Sequence, residues 1–179
     1  MPLLLPGGVF LALAGGLMYN HLGKREFAEA EMIELKPITE ENFLDAFALR
    51  LGPGQGAFVS HPIRSLAQAY VYRDQCQPFG IYAAEKMVGY VMVIYDWDIP
   101  EYDIWHMMID REQQGRGYGG EALDRILGYI RTKPFGDADR VALTCNKNNA
   151  AAVKLYESKG FAATGNVYDD EIEMAMTVR

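Results

Sequence analysis

With 179 residues, half of them hydrophobic, the chain can bury one sizeable core, which excludes wholesale disorder and leaves little length for a second full domain. Its net charge of −7 disfavours nucleic acid and anionic membrane as partners and suits a cationic one. Cys76 and Cys145 lie far apart and His21, His61 and His106 are scattered. This pattern excludes a disulfide framework and predicts no metal site, and free thiols fit a reducing, cytoplasmic setting.

Residues 1–31 form a separate apolar extension. Leu3 to Tyr19 is apolar but interrupted by Pro6 and by the pairs Gly7-Gly8 and Gly15-Gly16, and Lys24 and Arg25 follow it. A cleaved signal needs positive charge before the apolar run, which is missing here. An anchor needs about 20 apolar residues, and Lys24 and Arg25 are placed to hold one on the cytoplasmic side. The preferred reading is a dispensable extension or a true start at Met32, because Met32 to Ile38 alternates like an opening strand. The working domain is then 32–179.

After that strand, Thr39 is the expected N-cap of a helix carrying Phe43, Leu44, Phe47 and Leu51 at helical spacing. Gly52-Pro53-Gly54-Gln55-Gly56 breaks it, and Ser60 with Pro62 opens a second helix to about Tyr72. Phe79 to Ala84 and Met87 to Tyr95 read as a hairpin. An acidic loop follows over 96–101, then a strand from Asp103 to Asp110. Ala122, Leu123, Ile126, Leu127 and Ile130 mark a helix ending near Arg131. Arg140 to Cys145 is a strand, Asn148 to Ser158 a helix stopped by Gly160, and Phe161 to Gly165 and Glu171 to Val178 are two final strands. The order is mixed α/β.

Gln113-Gln114-Gly115-Arg116-Gly117-Tyr118-Gly119-Gly120 joins a strand to a helix. Glycines there let backbone N–H groups approach an anion, the helix N-terminus adds positive partial charge, and Arg116 offers a charge-assisted bond. Phosphate binding is the chemistry implied. Gly115, Gly117 and Gly120 also spell G-x-G-x-x-G, but the next strand ends in Thr144-Cys145-Asn146 without the carboxylate a dinucleotide site needs. No G-K-[ST] follows, so a P-loop is excluded.

Read as Q-x-x-G-x-G, the same turn resembles the pyrophosphate loop of the GNAT acetyltransferases. The stretch from Asn148 to Phe161, with Ala151, Tyr156 and Gly160, resembles that family's N-x-x-A-x-x-x-Y-x-x-x-G-F helix. Pro78 to Tyr82, Met108 to Asp110 and Leu143 to Asn146 are similar to bacterial spermine/spermidine acetyltransferases. The resemblance covers about 32–178. It implies an α/β (α+β) fold: a mixed, mostly antiparallel sheet of about seven strands, splayed near its middle and flanked by about four helices. It also implies acetyl-CoA as co-substrate, a small primary amine as acceptor with a polyamine favoured, and direct attack in a ternary complex. A homodimer is common in such proteins.

Through that resemblance, a backbone N–H at Met108 or Ile109 would serve the oxyanion, one such donor contributing roughly 3–4 kcal/mol. Gln114, Gly115, Arg116, Gly117, Tyr118 and Gly119 would hold the pyrophosphate, Asn148 would reach the pantetheine arm or help hold the adjoining strand, Ala151 would belong to the cofactor site, and Tyr156 would protonate the departing thiolate. Helical spacing alone would place Tyr156 in the core. The base is open between Glu101, Asp103 and a water chain, since Trp105 stands where some polyamine enzymes carry a carboxylate. Alternation puts His106 on the face opposite Trp105. Asp96, Trp97 and Asp98 interleave acid with an aromatic and are the expected amine-binding segment, with Asp169, Asp170, Glu171 and Glu173 closing the other side. Competing readings are an aminoglycoside or peptide-amine acetyltransferase, a non-catalytic acetyl-CoA sensor and a membrane-tethered interaction protein.

Overall fold

A computed structural model describes residues 17–19, 25–27 and 32–178. The chain divides into two compact units, Met1–Met32 and Ile33–Arg179. In the first, β1 (Leu17–Tyr19) pairs antiparallel with β2 (Arg25–Phe27). The other features read over 1–31 lie outside the described residues. Among the described residues, no helix is long and apolar enough to cross a membrane.

The second unit is built on a seven-stranded sheet in the order β3-β4-β5-β6-β7-β9-β8. Its strands are β3 (Ile33–Pro37), β4 (Cys76–Ala83), β5 (Lys86–Asp96), β6 (Glu101–Ile109), β7 (Arg140–Asn146), β8 (Ala162–Tyr168) and β9 (Glu171–Thr177). Every neighbouring pair is antiparallel except β6 and β7. One face packs against α3 (Tyr118–Arg131) and α4 (Ala150–Ser158), with Val91, Val93, Ile104 and Leu143 meeting Leu123, Ile126, Ile130 and Tyr156. Each such aliphatic burial contributes about 1.5–3 kcal/mol. The other face meets α1 (Phe43–Ala48) and α2 (Pro62–Val71), joining Tyr90, Met92 and Met108 to Ala46 and Ala69.

Several boundaries differ from the sequence reading for local reasons. The side chain of Asn42 turns back to accept the Thr39 N–H at 2.8 Å, so residues 40–42 form a turn and α1 starts at Phe43. His61, not Ser60, caps α2, because its imidazole accepts the Ile63 N–H at 3.3 Å while its other nitrogen meets the Leu49 carbonyl. β6 begins at Glu101, so that residue is in a strand rather than in the acidic loop.

Two irregularities shape the middle of the sheet. Met92 pairs with His106 but Val93 pairs with Ile104, which leaves Trp105 as the extra residue of a β-bulge. Trp105 and His106 therefore share a face, their rings stacked at 5.3 Å and 20°; the bulge overturns the expected alternation. Then β6 and β7 pair only at Tyr102–Val141 and Asp103–Ala142. Past Asp103 the two strands separate, as the resemblance implied.

Close approach of β5 to β6 requires Gly89, where an added Cβ would lie 2.4 Å from the Met108 carbonyl oxygen. Gly89→Ala is expected to lower stability by about 1–3 kcal/mol in urea melts, the usual range for overpacking; an unchanged midpoint would contradict this packing.

Candidate active site

The separation of β6 from β7 opens a cleft of about 370 Å³. Ile104 to Met108 supply one wall and Thr144 to Asn146 the other, although His106 of the first run turns away from it. The glycine loop, α4 and the segment Gln55, Phe58 and Val59 complete it. No charged side chain among the described residues lines it.

Gly115 and Gly117 adopt φ of 77° and 87°, the left-handed region that glycine enters without penalty. Gly117 caps α3 without a side-chain bond, so the first-turn N–H groups and the helix dipole face whatever anion the loop holds. Gln114 is a strut: its amide donates to the Ile109 carbonyl at 3.0 Å and to Gln55 Oε1 at 2.9 Å, tying the loop to the end of β6. Gly115, Gly117, Tyr118 and Gly119 line the cleft, whereas Arg116 is exposed at the loop's crest and does not.

On α4, Tyr156 is buried at the cleft, its ring 5.8 Å edge-on from Phe161. Burial, with Cys145 and Asp103 adding negative charge, pushes its phenol above the usual value. Ala151 lines the cleft, but Asn148 does not; it is exposed, its N–H held by Asn146 Oδ1 at 3.0 Å. Asn149 takes that place and caps α4 by accepting the Ala152 N–H at 3.3 Å. The spacing already pointed there, because N-x-x-A-x-x-x-Y counts back from Tyr156 to Ala152 and Asn149.

The carboxylates gather beside the cleft, on the face opposite α3. Glu101 is ion-paired with Arg140, which also reaches Glu173 at 3.3 Å. The Asp103 side chain makes no hydrogen bond or ion pair among the described residues. Burial pushes its carboxyl up to about 7, and the like charges of Glu173 and Asp96 add to this. It stands next to Ile104 and Trp105, which line the cleft. Asp96 ends β5, Trp97 and Asp98 sit in the β5–β6 turn, and none of the three lines the cleft. There Asp96 Oδ1 is occupied by the N–H groups of Asp98 at 2.8 Å and Ile99 at 3.1 Å, and Trp97 leans on Tyr95.

Trp105 packs edge-on against Tyr72 at 5.3 Å. His106 is bonded to Gln68 at 3.1 Å, and burial, helped by Arg64, pushes it down to about 4, so it is neutral near pH 7. Gln55, Phe58 and Val59 escaped the sequence reading because a glycine-broken loop carries no periodicity.

The profile of the acetyltransferase (GNAT) family matches residues 43–161. This chain belongs to the GNAT family of N-acetyltransferases. Its sequence is 24% identical over 144 residues to a probable spermine N(1)-acetyltransferase of Bacillus subtilis subsp. natto, covering 75% of this chain and 91% of that one. Its fold matches the spermidine N-acetyltransferase of Vibrio cholerae, solved with CoA and spermine, at a TM-score of 0.62 and 20% identity over 82% of this chain and 95% of that one. The ribosomal-protein-S18-alanine N-acetyltransferase of Escherichia coli matches at 0.62 and 19% identity, covering 82% and 94%.

The ionisation of Asp103 has a stability consequence. Its carboxyl holds a proton up to about pH 7 when folded but only to about pH 4 when unfolded. Wild-type stability is thus lost as pH rises through that window. Asp103→Asn should gain on wild type between pH 5 and pH 8 in thermal melts, and a gap independent of pH would count against a desolvated carboxyl.

Proposed function

We propose that this GNAT enzyme transfers the acetyl group of acetyl-CoA to a primary amine of a small cationic molecule, a polyamine such as spermidine or spermine, by direct attack in a ternary complex. The observation that carries this reading is the cleft itself, with a helix N-terminus and buried phenol on one side and an unpartnered carboxyl on the other.

The residues fit acetyl-CoA. The Gly115–Gly119 loop suits its pyrophosphate, Arg116 is free at the crest for a phosphate, and the uncharged walls suit the pantetheine arm, with Ala151 and Asn149 beside it. Past Asp103, β6 no longer pairs with β7, which supports Met108 and Ile109 as the place where a main-chain N–H meets the thioester oxygen. When bound, acetyl-CoA supplies an activated carbonyl.

An alkyl ammonium, with a pKa of about 10.4, must lose a proton before it attacks. Asp103, half-ionised near neutral pH, is the carboxylate suited to accept it, through one water, since it flanks the cleft rather than lining it. The nitrogen would take the acetyl group from the bound thioester's sulfur, and the second proton it sheds on becoming an amide would pass to the departing thiolate, so that CoA leaves as the thiol with its sulfur beside Tyr156. Tyr156 keeps its proton at neutral pH and donates a hydrogen bond to that sulfur. Glu101, already neutralised by Arg140, is the weaker base candidate. The acidic Asp96–Asp98 turn adds an attractive field for a polycation.

The polyamine is supported by this concentration of carboxylates and by the relatives' acceptors. A second reading, a peptide amine with an apolar side chain, is favoured by Phe58, Val59 and Trp105 in the cleft wall. Cys76 and Cys145, both buried and free, support a reducing cytoplasm, and β8, exposed along its length, supports a homodimer.

CoA release by the full chain, measured against spermidine, spermine, putrescine, an aminoglycoside and an alanyl peptide, tests this. Turnover with polyamines is expected, falling about 100-fold or more in Asp103→Asn and markedly in Tyr156→Phe. Turnover with the peptide alone would replace the acceptor, and acetyl-CoA binding without turnover on any amine would leave a sensor.

A further inference from the structure

On β7, Arg140, Ala142 and Thr144 point to one face, and register places Asp103 beside Ala142 and Glu173 beside Thr144. Ala142 is small and buried, which leaves the Arg140 side chain room to lie along β7. From there its guanidinium pairs with Glu101 of β6 and lies 3.3 Å from Glu173 of β9. Glu173 has further holders on the edge strand: Thr164 Oγ1 donates to it at 2.5 Å and Asn166 Nδ2 at 3.0 Å. Its side chain is only 14% exposed. Three strands thus converge on one carboxylate, and Arg140 links it to Glu101 on a fourth. Such a heavily bonded group is fixed in position and holds its charge, and these bonds keep the Glu173 carboxyl below the usual range.

We propose that Glu173, clasped by Arg140, Thr164 and Asn166, is a positioning residue that holds a fixed negative charge against Asp103 on the acceptor face of the sheet. Asp103 has no such holders. The groups facing it are Asp96 from β5, Glu101 from its own strand, Arg140 from β7, Glu173 from β9 and Tyr156 from α4. Only Arg140 is positive. The clasp therefore works in two directions. Glu173 makes Asp103 a stronger base by opposing its ionisation, and Arg140 limits that effect by neutralising Glu101 and part of Glu173. This inference rests on Asp103 as the base.

The test is the pH profile of kcat/KM for amine acetylation by the full chain, paired with a carbon-13 titration of Asp103 in the unliganded enzyme. Glu173→Gln should move the acidic limb and the titration midpoint down by about half a pH unit or more, and Arg140→Gln should move both up. Arg140→Lys should restore much of the wild-type position. Thr164→Val, a milder change at the edge strand, should shift the midpoint in the same direction as Glu173→Gln. A purely structural clasp would lower kcat at every pH and leave limb and midpoint in place, which would overturn the proposal. Shifts of one sign in Glu173→Gln and Arg140→Gln would also overturn it. Asp103→Asn separates the two ideas: if it keeps wild-type rate and profile, the base assignment fails, whereas its loss of activity beside an unmoved Glu173→Gln midpoint defeats only the clasp.

Discussion

Backbone groups inside a sheet have to be paired, and β6 gives up its pairing with β7 after Asp103. The cleft follows from that early separation. The separation leaves main-chain groups of β6 without a strand partner, opens a cleft through the layer, and puts residues from both faces within reach of one space. The chain tolerates it because each strand is held from its other side, β6 by β5 along its length and β7 by β9 over seven residue pairs. The helices α3 and α4 then close one face, with Lys159 ion-paired to Asp124 between them at 2.6 Å.

The bulge at Trp105 works with the separation. One extra residue in β6 sends Trp105 into the cleft wall and His106 onto α2, so the two rings stack instead of facing apart. The histidine is neutral and bonded to Gln68, and the carboxylates nearby differ from one another in their surroundings. Their roles divide by partner. Glu101 is paired with Arg140, Glu173 is held by Arg140, Thr164 and Asn166, Asp96 accepts from the turn that follows it, and among the described residues the Asp103 side chain is left without a partner. That a half-buried acid is left so at the edge of a cleft is a stability cost typical of functional sites.

The fold was largely legible from residues whose chemistry is local. The glycines of the 115–119 turn, the buried stripe Ala122 to Ile130 and the stop at Gly160 need only near neighbours to read. The site was legible in part. Gly117 and Tyr156 lie where the motifs placed them, but the asparagine slipped by one, from Asn148 to Asn149, because two asparagines stand side by side and only the count back from Tyr156 separates them. The faces of Trp105 and His106 were not legible, because a bulge is set by pairing between strands and leaves no periodic trace. Nor was the pairing of Glu101 with Arg140, which depends on two strands 39 positions apart coming together in parallel. The acidic turn at Asp96 was legible as acidic, while its use as a backbone cap was not.

The central claim is that the gap between β6 and β7 is the place where acetyl-CoA and the amine meet. A crystal structure of the full chain with CoA tests it most directly. The account predicts the pyrophosphate against the main chain of Gly115–Gly119, the pantetheine arm between the two strands, and the thiol close to Tyr156. CoA bound on another surface, with the gap between β6 and β7 unfilled, would contradict it.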